Sequence, residues 1–158
     1  MNEYIDPAEI VSPSEATALL KLELIGDSHL PAIAENLLIK GFDTKSLRRL
    51  AVEVPPSSVN LFRLFEEANV ALRGDQFSTK QDAASWLVLD IASRIVEGSL
   101  EPYRGAKIIW IISLVEGVAV RQEAGPFIYA ASEYEERPED RQFFVDAIVM
   151  QARRILES

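Results

Sequence analysis

The sequence predicts an all-α protein, a single-domain bundle of seven or eight helices over residues 1–158, with two central buried helices at about 79–97 and 102–116. Three observations carry this. Helix caps and stops recur along the whole chain. Apolar residues repeat at helical spacing between them. The two segments that could be strands cannot make a sheet, because one of them, Ala51 to Val54, runs straight into two prolines. Residues 1–11 precede the first cap and are expected to form a flexible N-terminal arm.

Each element has its own punctuation. Ser12 and Glu15 have capping-box spacing, with Pro13 at the first helical position, so a helix is expected from Pro13 to Leu24 with Gly26 as its stop. Asp27 or Ser28 caps the next helix. In it Leu30, Ile33, Ala34, Leu37 and Leu38 follow the i, i+3, i+4, i+7, i+8 pattern until Gly41. Asp43 or Thr44 opens a short helix containing Leu47 and Leu50. Pro55-Pro56 interrupts the chain. Ser58 is then a candidate cap for a helix that places Leu61, Phe62, Phe65, Ala68 and Leu72 on one side. Ser78 and Gln81 repeat the capping-box spacing and start a helix that ends before Gly98, in which Asp90 and Arg94 are one turn apart. Pro126 and Pro138 are expected to start the last two helices; Phe144, Ala147, Ile148 and Ile155 line the inner face of the second, and Arg153 and Arg154 sit in its final turn, where the helix dipole favours cations.

The uncharged run IIWIISLV, between Lys107 and Glu116, needs separate treatment. It is too short to span a membrane, which takes about 20 apolar residues. Its β-branched residues suit a strand, but no partner strand exists for it. With Pro102 to begin it and Gly117 to end it, the segment is expected as a core helix wrapped on most sides by others.

Composition bounds the chemistry. The chain has no cysteine, which excludes disulfides, thiolate metal sites and cysteine nucleophiles. Its N-terminus lacks the basic and apolar regions of a signal peptide, and a cytoplasmic location is expected. Net charge is −9, and the densest basic cluster is Lys45, Arg48 and Arg49, so nucleic acid and anionic membranes are not expected partners. From Glu123 to Asp146, seven acidic residues stand against two basic ones.

No catalytic constellation appears. The single histidine, His29, opens a helix with no convergent partner nearby, and no GxSxG, HExxH, GxGxxG or GxxxxGK pattern occurs. One histidine and no cysteine cannot supply a zinc site, and the carboxylates of Glu133–Asp140 read first as a charged turn between two helices. Neither a cofactor nor a metal is therefore expected, and the protein is not expected to be an enzyme. The loop Glu101-Pro102-Tyr103-Arg104-Gly105 carries a tyrosine and an arginine, residue types enriched at binding hot spots. Tyr103 is equally suited to bracing a turn.

The segment EGSLEPYRGAKIIW, Glu97 to Trp110, resembles a pattern found in small, acidic, helical bacterial proteins of no established activity: a glycine, an apolar residue, then Pro-Tyr-x-Gly-Ala and Ile-Trp. The leading segment Leu24 to Ala51 is similar to theirs as well. The resemblance implies the helical fold and carries over no catalytic residue.

The expected function is non-enzymatic interaction with a basic protein partner, in the manner of a bacterial immunity or antitoxin-like protein that occludes a basic toxin. Glu133, Glu135, Glu136, Glu139 and Asp140 are the candidate acidic face and Tyr134 its candidate anchor, with Tyr103, Arg104 and His29 as secondary candidates. Two alternatives are a self-associating helical protein, with Phe143, Val70 and Leu22 as spare apolar positions, and a small-ligand binder or enzyme with a pocket near Tyr103 and His29.

Overall fold

The computed structural model describes residues 4–53 and 58–158. Backbone contacts gather the chain into two compact units, 1–79 and 80–158, and the described residues of each are helical without strands. The first unit contains α1 (Pro13–Lys21), α2 (Leu30–Ile39), α3 (Lys45–Ala51) and α4 (Ser58–Ala71); the second contains α5 (Lys80–Glu97), α6 (Pro102–Ser113), α7 (Arg121–Glu136) and α8 (Arg141–Glu157). Among the described residues no helix is long and apolar enough to cross a membrane.

In the first unit α2 is the hub, touching α3, α4 and a 3-10 turn at Pro7–Glu9. Its predicted stripe faces the core: Leu30, Ile33, Ala34 and Leu37 are buried and Leu38 is half-buried. The N-terminal segment is not the free arm expected from the sequence. Ile5 and Ile10 are buried, and Asn36 Nδ2 donates to the Ile10 carbonyl at 2.7 Å. Two isoleucines left in water would each forfeit a burial term of about 1.5–3 kcal/mol. Residues 1–3 lie outside the described residues.

Ser12 caps α1, its Oγ accepting the Glu15 N–H at 3.1 Å, while the buried Glu15 carboxylate accepts the Val11 N–H at 2.8 Å. The helix stops at Lys21, short of the predicted Leu24. Glu23 takes a positive φ of 60°, and the N–H groups of Leu24 and Glu23 return to the carbonyls of Leu19 and Leu20. This is a Schellman turn on a non-glycine residue, so Gly26 is not the stop. α4 ends the same way at Arg73, while α2 ends at Gly41 as predicted. Thr44, not Asp43, caps α3, accepting the Leu47 N–H at 3.0 Å; Asp43 pairs with Arg48 instead. Ser58 lies within α4 rather than before it, and Pro55 and Pro56 fall outside the described residues. The buried side of α4 carries Leu61, Leu64, Phe65, Ala68 and Asn69, so the predicted Phe62 turns outward. Leu22 is buried and unavailable to any external seam.

The end of α4 is tied to the start of α1. Ser14 Oγ donates to the Asp75 carboxylate at 2.9 Å and accepts the Asp75 N–H at 2.8 Å. Asn69, almost fully buried, donates to the Asp75 carbonyl at 3.2 Å. A Cβ at Gly74 would overlap Asn69 Oδ1 and touch Pro13, so only glycine fits there.

In the second unit α5 touches α6, α6 touches α7, α7 touches α8 and α8 returns to α5, and α6 also touches α8. Short connections make sequence neighbours antiparallel. α6 touches α5, α7 and α8, and none of its residues from Pro102 to Ser113 is exposed, so it is the enclosed helix expected from the sequence. α6 buries Gly105, Ala106, Ile109 and Ile112; Ile108, Trp110 and Ile111 are half-buried, and Leu114 is exposed beyond the helix end. α6 reaches α5 closely at Gly105, where a Cβ would stand 2.7 Å from Ile95 Cδ1 and 3.2 Å from Ile91 Cγ2.

Three further expectations change in this unit. Gln81 does not complete a capping box: its side-chain amide accepts the Ala119 N–H at 2.6 Å and donates to the Ala119 carbonyl at 3.2 Å, clamping the α6–α7 loop to the start of α5. α7 begins at Arg121, so Pro126 lies inside it. Proline there removes the bond to the Gln122 carbonyl, which water can take because both residues are exposed. Pro138 starts a 3-10 turn, Pro138–Asp140, and α8 follows it. The predicted Asp90–Arg94 pair is present at 3.4 Å.

Two outcomes are expected from this packing. Gly74→Ala should displace Asn69 and lower stability by about 1–3 kcal/mol, as overpacking does; an unchanged urea midpoint would show that the α1–α4 junction tolerates the extra atom. Burial, opposed by Arg94 and reinforced by Glu97, raises the Asp90 carboxyl pKa above its ordinary 3.8. The folded state therefore holds this proton more tightly than the unfolded state, so Asp90 favours folding at low pH and that contribution is lost as pH rises through the carboxylate range. Asp90→Asn should flatten this part of the stability–pH profile in a series of thermal melts.

Candidate protein-binding site

The candidate residues of the second unit converge where α6 begins, α7 ends and α8 begins. α6 starts at Pro102 because Glu101 caps it with both carboxylate oxygens, accepting the N–H groups of Tyr103 at 3.2 Å and Arg104 at 3.0 Å. This places Tyr103 in the first turn, where its ring stacks on Tyr134 from the last turn of α7, with centroids 4.2 Å apart and planes 17° from parallel. The Arg141 guanidinium lies 4.7 Å from the Tyr134 centroid, and Arg141 Nε donates to the Tyr134 carbonyl at 3.2 Å. Ring and guanidinium cannot share one face at these separations, so both faces of Tyr134 are covered. The half-buried Tyr134 is thus engaged within the unit, and only its edge faces outward.

The acidic residues divide into engaged and free. Arg137 holds Asp140 at 2.6 Å and Glu133 at 3.6 Å. The Asp140 carboxylate beside it raises the guanidinium pKa further above its ordinary value. Lys107, largely covered by its surroundings, pairs with Glu135 at 3.2 Å and lies 4.4 Å from the Trp110 ring centroid. Glu136 and Glu139 are exposed and make no ion pair among the described residues. The acidic face legible in the sequence is therefore tempered: cations neutralise three of its carboxylates, and two project freely.

Of the secondary candidates, Tyr103 joins this cluster, bracing α6 against α7, and Arg104 follows it in the first turn of α6. His29 belongs to the first unit. Its Nδ1 lies 3.2 Å from the Gly26 N–H and 3.3 Å from the Gly26 carbonyl, so the ring closes the turn before α2. Sequence reasoning missed Lys107, Arg137 and Arg141. Arg137 was within reach, being four residues after Glu133 and three before Asp140. Lys107 and Glu135 are separated by 28 positions and meet only through the α6–α7 contact. Among the described residues no group of three or more His, Asp or Glu side chains is placed to hold a metal ion.

No family model, curated protein or solved structure matches this chain.

The stack can be tested directly. In a double-mutant cycle of Tyr103→Ala and Tyr134→Ala, urea unfolding should give a coupling of about 0.5–1.5 kcal/mol, the range for aromatic pairs. Strict additivity would mean that the two rings do not support one another.

Proposed function

We propose that this chain is a non-enzymatic protein–protein interaction protein that binds a basic partner through the α7–α8 corner, in the manner of a bacterial immunity or antitoxin-like protein acting in the cytoplasm. The observation that supports it is the pair of free, exposed carboxylates, Glu136 and Glu139, projecting from a corner whose other charges are locked in place. A net charge of −9 attracts a basic protein at long range and speeds encounter. Glu136 and Glu139 would then meet its cations, while the Glu133–Arg137–Asp140 network and the Tyr103–Tyr134–Arg141 stack hold the surface rigid, lowering the ordering cost of binding.

The division of carboxylates selects the variant. Reversing Glu133 or Glu135 would break internal pairs and confuse binding with folding. Glu136→Lys with Glu139→Lys leaves those pairs intact. With the basic partner captured by the wild-type protein, the double reversal should slow association about tenfold or more at low salt and flatten its salt dependence, with an unchanged melting curve. Association rates that match wild type across the salt series would refute an electrostatic role for this corner.

A further inference from the structure

A surface helix ordinarily turns charged and polar residues outward. α8 does not. Opposite its buried residues Phe144, Ile148 and Ile155, its outward stripe carries Phe143 and Met150, which are 69% and 59% exposed. They are seven positions apart, two helical turns, and so lie on the same line of the helix surface. The Phe143 ring is held by an edge-to-face contact with Phe144, centroids 5.1 Å apart, and Phe144 meets Tyr129 of α7 in a second edge contact at 6.5 Å. Tyr129 is itself 63% exposed.

The charges on this stripe point to its occupant. Asp146 lies four residues before Met150 and Arg154 four residues after it, with Arg153 beside Arg154. Asp146 accepts from Gln142 on its own helix at 2.9 Å, and neither arginine makes an ion pair among the described residues. A uniformly basic partner would meet Arg153 and Arg154 with repulsion. A parallel second copy would set Asp146 on Asp146 and the arginines on each other. An antiparallel second copy, related by a two-fold axis at Met150, sets each Asp146 opposite the other chain's Arg154. In such an isologous interface every contact occurs twice.

We propose that the outer face of α8, centred on Met150, binds a second copy of this chain in an antiparallel two-fold arrangement. Met150 packs on its symmetry mate at the axis. Phe143 of each copy covers the end of the partner helix, and the Asp146–Arg154 pairs fix the register. Two helix faces make a small seam, and two chains of net charge −9 repel each other, so the dimer is a weak, reversible one that tightens as salt screens the long-range repulsion. The surface excludes Glu136 and Glu139, so it stands or falls independently of the acidic corner.

Sedimentation equilibrium of the full chain over a wide concentration range, at moderate salt, should show a reversible monomer–dimer equilibrium. Phe143→Glu and Met150→Glu should each raise the dissociation constant about tenfold or more, and Asp146→Arg should do likewise. Adding Arg154→Asp to Asp146→Arg should recover the wild-type value. A monomer at every concentration, a dimer indifferent to Phe143→Glu, or a double reversal that fails to recover would overturn the proposal. A second measurement does not depend on variant stability. Because the chain lacks cysteine, Met150→Cys should form a disulfide-linked dimer when oxidised with diamide, whereas Glu139→Cys, exposed but off the axis, should not. Equal cross-linking at both positions would also overturn it.

Discussion

The approach of α6 to α5 at Gly105 is the constraint on which the second unit depends. With hydrogen in place of a Cβ, the backbone of α6 settles against Ile91 and Ile95, and Ala92 on α5 and Ala106 on α6 are fully buried. Glycine at this position lets the two helices close onto these isoleucines. That closeness decides where the first turn of α6 stands. Glu101 caps that turn, Tyr103 leans from it onto Tyr134, and Lys107, one turn further on, reaches Glu135. A packing requirement deep in the unit thus sets the positions of side chains at its surface.

The corner built in this way is more structural than its composition suggests. A run of carboxylates invites a reading as an open acidic face, yet Arg137 and Lys107 each take a share of it. Exposed ion pairs contribute little stability individually, about 0–1 kcal/mol each. Their effect here is to define which charges remain available. Glu136 and Glu139 remain, and Tyr134 does not remain as a free aromatic, since Tyr103 and Arg141 cover its faces. The exposed aromatics among the described residues of this unit are Tyr129 and Phe143, on the outer sides of α7 and α8. The two free carboxylates and the exposed apolar side chains of α8 therefore lie apart, and they suit different partners.

The first unit is held by its helix ends. Glu23 and Arg73 adopt left-handed conformations that glycine would take more readily, at a cost of roughly 1–2 kcal/mol each. What offsets it is the pair of backbone bonds each turn returns to its helix, together with the burial that follows: Leu22 and Ile25 enter the core on either side of Glu23. At the other helix Arg73 delivers Gly74 into the space beside Asn69 and Asp75 to the start of α1. The chain accepts local strain where the turn directs apolar or hydrogen-bonding groups inward.

What the sequence determined by itself is the helical class, the stripe of α2, the Ser12 cap and the Asp90–Arg94 pair. All of these rest on interactions within a few positions of one another, where helical period and cap chemistry suffice. Tertiary structure decided the rest. Helix ends at Glu23 and Arg73 carry no glycine signal, and Pro126 reads as a start although α7 already runs through it. The face of Phe62, the clamp of Gln81 on Ala119 and the exposure of Leu114 at the end of the IIWIISLV run depend on which helices lie alongside. So does the pairing of Lys107 with Glu135, and with it the choice of Glu136 and Glu139 as the free carboxylates. Such contacts join positions far apart in the chain, and a single sequence records the residues that make them but not their meeting.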